Sequence, residues 1–416
     1  MASESLDPPA HSSHAASITP LPRVSLQAFC ETSELAALIG EAANDRRMEK
    51  AHVKVNMGGA GAAVESYRTS PTPNIIVIES NAARAELMGQ LEALAEFCDS
   101  GTKVVVAGRQ NDITLYRELI SRGVSDYLVE PFGVMDFISA LSSLYHQDLA
   151  TPLGRVIAVA GCKGGVGSSS LAHNLAWSIA RDLESATVVA DLDLAFGTTG
   201  LDFNQDPPQG IAEAVFSPER LDANLVDRLL SKCSERLSIL AAPATIDRAY
   251  DLSENSFDAL IEILRATTPY IVLDLPHVWT AWARRLLASA DEAIVVASPE
   301  LASLRNAKTM LDHLRAARRN DPAPRIVLNG VGLPKRPEIS AADFAKAVEM
   351  EPSAIVPFDA KLFGTAANNG QMIAELEDGA KIAIIYSDLA RAVTGRGAIK
   401  RERKSFLEPL LAVFKG

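Results

Sequence analysis

The stretch RVIAVAG-CKGGVG-SSSLAHNLAW, residues 155–177, decides the fold of this chain. Its first part is a run of apolar residues, which is typical of a buried strand in a parallel sheet. A loop with three glycines follows, and a helical pattern begins near Leu171. The backbone N–H groups of such a loop can surround an anion, and the dipole of the following helix adds positive potential. A plain turn between strand and helix needs only one glycine, so the stretch predicts a phosphate site.

Apolar runs alternate with helical patterns on both sides of this loop. The alternation predicts two α/β domains, each with a doubly wound parallel sheet. In the C-terminal domain the expected strands are RVIAVAG, ATVVADLD, LSILAAP, YIVLDLP, EAIVVAS and RIVLNGV. In the N-terminal domain they are RVSLQAFC, NIIVIES, TKVVVAG and DYLVEPF. The last helix is expected to end near Thr394.

Changes of composition and pattern divide the chain into five segments. Residues 1–22 hold prolines and serines without a periodic apolar pattern, which predicts a disordered tail. The N-terminal domain then spans 23–147, a short turn-prone linker spans 148–154, and the C-terminal domain spans 155–395. Residues 396–416 form a basic and amphipathic tail.

The composition disfavours several classes of protein. The chain has 416 residues, 48% of them hydrophobic, which is enough for a core in each domain. Its net charge of −12 opposes non-specific contact with nucleic acid, so a nucleic-acid partner is disfavoured. The cysteines lie far apart, which favours neither a disulfide framework nor a zinc site. Neither a membrane-spanning run nor a signal peptide is visible, so a cytoplasmic location is expected.

The glycine loop resembles the deviant P-loop of the ParA/MinD ATPases, whose pattern is KGGxGK followed by two Ser or Thr residues. The resemblance implies ATP and Mg²⁺ as cofactors. It implies that Lys163 reaches the partner's phosphates in a nucleotide-sandwich dimer, and that the hydroxyl of Ser169 is a ligand of Mg²⁺. The residues expected to bind the nucleotide in this loop are Gly164, Gly165, Val166, Gly167, Ser168, Ser169 and Ser170.

One position departs from the family pattern, because Ser168 stands where a second lysine would hold the β- and γ-phosphates. Losing that ammonium removes a charge-assisted contact of ~1.5–3 kcal/mol and weakens binding roughly 10- to 100-fold. Backbone amides, Mg²⁺ and Lys163 remain. A nucleotide site is therefore expected, whereas ATP hydrolysis is expected to be weak or absent.

Acidic residues end the later strands, as they do in the same family. Asp191 and Asp193 close the second strand of the domain, and Asp274 closes YIVLD as in a Walker B strand. The resemblance implies that Asp193 orients the attacking water, a catalytic role that it shares with Lys163. It also implies that Asp191 and Asp274 support the metal together with Ser169. A single acid at a strand end is often only a helix cap or a turn residue.

The strand Ile326-Val327-Leu328-Asn329 resembles the family strand whose terminal Asn reads adenine, and a simple turn residue is the alternative for Asn329. Within the family, KGGVGSSSLAHNLAW and VADLDLAFGTTGLDF resemble the TadZ/CpaE branch of Flp (type IVb, tight-adherence) pilus assembly proteins. The resemblance spans residues 23–395. It implies an ATP-binding homodimer that positions the pilus secretion machinery. A non-hydrolysing scaffold with a structural pseudo-nucleotide pocket is the alternative, and a dinucleotide-dependent oxidoreductase is weaker still.

The N-terminal domain resembles a response-regulator receiver that lacks its chemistry. A receiver needs an acidic pair, a phosphorylatable Asp, a Ser or Thr and a Lys at the ends of successive strands. At these places the chain has Cys30-Glu31, Glu79, Gly108 and Glu130-Pro131. A docking or dimerisation module without phosphotransfer is therefore expected.

The C-terminal tail is open to two interpretations. Residues 396–404 carry five basic side chains against one acid, and apolar residues within 406–414 share one helical face. Such a segment binds an anionic membrane surface, which would place the protein at the inner membrane or the cell pole. Docking of the helix on the protein's own core is the alternative.

Overall fold

The computed structural model describes residues 18–99, 101–146, 153–243, 245 and 250–396, and these form two compact units. Within the described residues, the first unit comprises Met1–Gly154, Arg284–Asp291 and Leu311–Pro324. The second comprises the described residues of Arg155–Ala283, Glu292–Met310 and Arg325–Gly416. The C-terminal tail after Arg396, residues 1–17 of the N-terminal tail and residues 148–152 of the linker lie outside the described residues.

The first unit contains a parallel five-stranded sheet in the order β2-β1-β3-β4-β5. Its strands are β1 (Val24–Cys30), β2 (Ala51–Met57), β3 (Ile75–Glu79), β4 (Lys103–Gly108) and β5 (Asp126–Val129). Its helices are α1 (Ser33–Ala42), α2 (Gly59–Tyr67), α3 (Arg84–Ala95), α4 (Ile113–Ser121) and α5 (Val134–His146), with a 3₁₀ turn at Arg46–Met48. The alternating α/β pattern expected for this part of the chain is confirmed.

Strand β2 and the helix that follows it, α2, were not expected from the sequence. Strand β2 is an edge strand whose residues alternate between half-buried and exposed, and it pairs with β1 from Val24↔Ala51 to Cys30↔Met57. Its sequence AHVKVNM lacks the continuous apolar run that marks the other strands. An edge strand needs to bury only part of its surface, so its apolar signal is weak.

The ordered contacts of this unit include residues that precede the expected start of the domain. Leu21 is buried, and its N–H donates to the carbonyl oxygen of Arg47 at 2.8 Å.

Inside the same unit, Arg46 forms ion pairs with Asp291 at 3.3 Å and with Asp321 at 2.8 Å. These pairs help to hold the two later segments within the first unit.

The second unit contains an eight-stranded sheet in the order β13-β12-β11-β6-β10-β7-β9-β8, parallel except for β8. Its strands are β6 (Arg155–Gly161), β7 (Thr187–Asp191), β8 (Ser231–Lys232), β9 (Leu237–Leu240), β10 (Tyr270–Leu275), β11 (Glu292–Ala297), β12 (Arg325–Val331) and β13 (Ala354–Pro357). All six strands expected in the C-terminal domain are present.

Helices follow the strands of this sheet along the chain. They are α6 (Ser168–Asp182), α7 (Thr199–Asp202), α8 (Ile211–Phe216), α9 (Ala223–Leu229), α10 (Asp258–Thr267), α11 (Ala281–Ser289), α12 (Leu301–Ala317), α13 (Ala341–Val348), α14 (Ala360–Asn369), α15 (Ile373–Leu376) and α16 (Lys381–Thr394), with a 3₁₀ turn at Pro218–Arg220. The end of α16 at Thr394 confirms the expected end of the last helix. Among the described helices, none is both long and apolar enough to cross a membrane.

Helix α6 anchors the glycine loop to the core of the second unit. Leu171, Leu175 and Ile179 recur every four residues and are fully buried. Burying each of these side chains contributes about 1.5–3 kcal/mol relative to leaving it in water. The face that they form packs into the same core as α16 and β6.

The register of the central strands brings the ends of β6, β7 and β10 together. Strand β10 lies between β6 and β7, and Asp274 of β10 is directly opposite Asp191 of β7. On its other side, Leu275 is opposite Ala160, one residue before β6 ends. Because these strands are parallel, their carboxyl ends form one edge, where the glycine loop and the strand-end acids meet.

Candidate functional site

The glycine loop takes a backbone shape that favours glycine at two positions. Gly165 has a φ of +79° and Gly167 a φ of +80°, both in the left-handed region. A Cβ on Gly165 would point into open space, whereas a Cβ on Gly167 would lie 2.4 Å from Nδ2 of Asn329. The loop is therefore open to solvent at Gly165, where it forms a cradle, and closely packed against Asn329 at Gly167.

Asn329 supports this cradle from β12. Its Nδ2 donates to the carbonyl oxygen of Val166 at 2.8 Å, whereas its Oδ1 is buried and has no hydrogen-bond partner in the described part of the chain. The side chain thus has a structural role in the loop that the sequence does not indicate. Recognition of adenine by Asn329 stays a prediction.

The side chain of Ser168 lies close to Gly161, where β6 passes into the loop. It is the first residue of α6, and its Oγ lies 3.1 Å from the place that a Cβ on Gly161 would take. The side chains of Ser168, Ser169 and Ser170 are all half-buried at the first turn of this helix. The structure thus gathers the hydroxyls at the N-terminus of a 15-residue helix, where the dipole favours an anion.

Lys163 projects from the loop into solvent and forms an ion pair within its own chain. Its Nζ lies 2.5 Å from Oε1 of Glu300, and the side chains are 46% and 27% exposed. The hydrogen bond from Lys163 holds the pKa of the Glu300 carboxyl below its usual range. Glu300 stands just before α12, and no role for it was expected from the sequence.

The two acids at the end of β7 accept hydrogen bonds from nearby backbone N–H groups. Asp191 is fully buried; its Oδ1 accepts from the N–H of Asp193 at 3.1 Å, and its Oδ2 accepts from the N–H of Thr199 at 3.1 Å. Asp193 is half-buried, and its Oδ1 accepts from the N–H of Phe196 at 3.0 Å. Burial, followed by the charge of Asp274, raises the pKa of Asp191 to about 6. The metal and catalytic roles of these two acids stay predictions.

A buried histidine that sequence analysis missed lies among these acids. His173 donates from Nδ1 to Oδ2 of Asp202 at 2.8 Å, and its Nε2 lies 2.8 Å from Oγ1 of Thr199 and 3.4 Å from Oδ2 of Asp274. Burial opposes the charged ring, but the hydrogen bonds to Asp202 and Asp274 outweigh it and raise the pKa of His173 to about 10. His173 is therefore a buried cation that connects α7 to the end of β10.

The oxygens at this edge are suitable for a hard divalent cation. Asp274 is buried, and its Oδ1 has no hydrogen-bond partner in the described part of the chain. Among the described residues, no three or more His, Cys, Asp or Glu side chains form a group that could hold a metal. Mg²⁺ commonly binds through one or two protein oxygens together with waters and phosphates, so Asp274 and Ser169 fit such an ion.

In the first unit, the residue at the phosphoacceptor position is closed off. Glu79 is fully buried; its Oε2 accepts from the N–H groups of Glu31 at 2.7 Å and Thr32 at 2.9 Å. Its Oε1 accepts from the hydroxyl of Thr32 at 2.7 Å. The carboxylate thus joins the loop after β1 to the end of β3, and the absence of phosphotransfer stays a prediction.

Known proteins resemble this chain in both sequence and fold. Residues 154–323 match the family model of an AAA domain. A pilus assembly protein CpaE from Caulobacter crescentus, with a crystal structure, is 48% identical over 30% of this chain and 97% of that chain, with a TM-score of 0.30. The chain belongs to the CpaE family of pilus assembly proteins. The identity over almost all of that protein shows the membership, and the TM-score adds nothing to it.

Two further relatives concern the P-loop fold. The septum site-determining protein MinD of Synechocystis sp. is 27% identical over 252 residues, which are 59% of this chain and 91% of MinD. MinD of Pyrococcus horikoshii, whose structure is complexed with Mg-ADP, is 20% identical and covers 58% of this chain and 96% of that chain, with a TM-score of 0.50. The second likeness shows the fold alone. The expected ParA/MinD-like fold and the expected CpaE branch are both confirmed.

Proposed function

We propose that this chain is an ATP-binding assembly and localisation factor that positions the Flp pilus secretion machinery. In this proposal it binds Mg-ATP at the loop of residues 163–170 and hydrolyses it slowly or not at all. Membership of the CpaE family supports the role in pilus assembly. The open cradle at Gly165, above the N-terminus of α6, is the observation that carries the nucleotide site.

In this proposal, the loop backbone, two oxygen-bearing side chains and Lys163 have separate roles in binding Mg-ATP. Backbone N–H groups of the loop donate to phosphate oxygens, and the α6 dipole adds positive potential without a mobile side chain. Ser169 and Asp274 would hold Mg²⁺, which neutralises phosphate charge when it is bound. Lys163 would leave Glu300 in order to contact the phosphates of a second copy, so a homodimer is part of the proposal.

Slow hydrolysis follows from the residue that replaces the P-loop lysine. Ser168 has no charge with which to stabilise the β- and γ-phosphates as charge develops in the transition state. Asp193, the residue expected to orient the attacking water, already accepts a hydrogen bond from the backbone of Phe196. A non-hydrolysing scaffold remains the second candidate, and the serine at position 168 favours it.

Calorimetric titration of the full chain with ATP, with and without Mg²⁺, tests the proposal. Gly165→Val should abolish binding because its side chain would fill the cradle. Gly332→Val is the matched control, since Gly332 also has a positive φ, +85°, and open space around its Cβ position. Binding that is absent in the unaltered chain, or equal in both variants, would contradict the nucleotide site. A turnover assay then separates the slow ATPase from the scaffold.

A further inference from the structure

The loop after β10 brings an exposed histidine to the start of the glycine loop. His277 lies three residues beyond Asp274, and its Nδ1 is 3.0 Å from the carbonyl oxygen of Gly161. A carbonyl oxygen only accepts hydrogen bonds, so Nδ1 carries the hydrogen. The bond fixes the ring beside the residue at which β6 passes into the loop.

One edge of this ring lies beside Gly164 of the glycine loop. Cδ2 of His277, the ring carbon bonded to Nε2, lies 3.9 Å from the place that a Cβ on Gly164 would take. Within the described part of the chain, Nε2 makes no hydrogen bond. The ring therefore offers Nε2 to solvent next to the backbone that would surround a polyphosphate.

The loop lacks the second lysine of the family pattern. Position 168 holds serine, and its Oγ points at Gly161, the same residue that the ring of His277 contacts. Lys163 pairs with Glu300. Ser168 and His277 thus approach Gly161 from two different elements.

We propose that His277 is a phosphate-binding residue that takes the place of the missing P-loop lysine. Its Nδ1–H stays bonded to Gly161, and a second hydrogen on Nε2 donates to a phosphate oxygen of a nucleoside triphosphate in the cradle. The inference rests on the proposed nucleotide site and adds a residue to it that the family pattern does not contain. A charged ring supplies a charge-assisted hydrogen bond at the point where a lysine ammonium is lost.

Affinities for ATP, ADP and adenosine, measured by calorimetry with the full chain, test the role of His277. His277→Gln keeps a donor for Gly161 but loses the charge, so it should weaken ATP binding about 10- to 100-fold. Adenosine has no phosphate, so its binding should not change. His277→Lys restores a cation and should recover most of the affinity for ATP. His52→Gln, an exposed histidine on β2 of the first unit, is the matched control and should have no effect.

A double-mutant cycle with Ser168→Lys adds a readout that a structural role would not move. If the serine and the histidine face the same phosphates, Ser168→Lys should increase ATP affinity more in the His277→Gln background than in the unaltered chain. An unchanged affinity in His277→Gln, an equal loss for ATP and adenosine, or additive effects in the cycle would each overturn the assignment. Absence of ATP binding by the unaltered chain would instead refute the proposed nucleotide site, and this inference with it.

Discussion

Replacing Gly167 by alanine tests how the glycine loop is supported. The new Cβ would lie 2.4 Å from Nδ2 of Asn329, so the amide must move and its bond to Val166 must break. A left-handed backbone costs a residue with a Cβ about 1–2 kcal/mol. Loss of the hydrogen bond adds about 0.5–1.5 kcal/mol. We therefore expect Gly167→Ala to lower the free energy of unfolding of the second unit by about 1.5–3.5 kcal/mol.

Gly165→Ala is the matched comparison for this prediction. Gly165 has almost the same φ, but nothing lies within 4 Å of its Cβ position, so only the backbone cost applies. The double variant Gly167→Ala/Asn329→Ala removes the amide that the new Cβ would meet. In that background the Gly167 substitution should cost about 0.5–1.5 kcal/mol less than in the unaltered chain.

Urea unfolding followed by tryptophan fluorescence is a suitable assay. The three tryptophans of the chain, Trp177, Trp279 and Trp282, all belong to the second unit, so the signal reports on that unit. The reasoning would be refuted if Gly167→Ala were no more destabilising than Gly165→Ala. It would also be refuted if the effects of the Gly167 and Asn329 substitutions were simply additive.

Three further predictions follow from the same edge of the sheet. Ser168→Lys should tighten ATP binding about 10- to 100-fold in the His277→Gln background and by less in the unaltered chain, as measured by calorimetric titration; no gain in either background would mean that the pocket serves another ligand. Glu300→Gln should release Lys163 and increase dimerisation with ATP in sedimentation experiments; an unchanged dimer fraction would contradict a restraining role for the ion pair. His173 has a folded-state pKa of about 10, above its unfolded value near 6.5, so its contribution to stability is complete below pH ~6.5 and is lost as the pH rises towards 10. Urea unfolding between pH 6.5 and 9.5 should show this fall, and His173→Asn should flatten it; an identical slope in the variant would exclude His173 as its cause.

The sequence predicts most of the second unit because its central strands are buried on both faces. Continuous apolar runs such as RVIAVAG and YIVLDLP are recognisable without any partner, and their alternation with helical patterns predicts a parallel sheet. Strand β2 was missed because the residues of this edge strand are half-buried or exposed, so its sequence has no continuous apolar run. The ordered position of Leu21 was also missed, because a single apolar residue between prolines has no period.

The candidate site was predictable only where a residue acts through its own backbone or belongs to a family motif. The glycines of the loop meet both conditions. His173 and His277 meet neither condition, since the role of each depends on contacts with elements that are far away in sequence. His173 contacts Asp202 and Asp274, and His277 contacts Gly161, more than a hundred residues before it. Contacts of this kind arise from the sheet order, which no local pattern encodes.

The buried ring of His173 gives the carboxyl edge of the sheet a counter-ion of its own. In many small metal-binding domains the site does not exist before the ion binds, so that folding and metal binding become a single event. Here the cation is a side chain of the protein itself, and the positive charge of His173, with Nε2 3.4 Å from the carboxylate of Asp274, offsets part of the repulsion between Asp274 and Asp191. Chelation of divalent ions should therefore leave this edge of the sheet folded, and the second unit can stay folded while no ligand is bound.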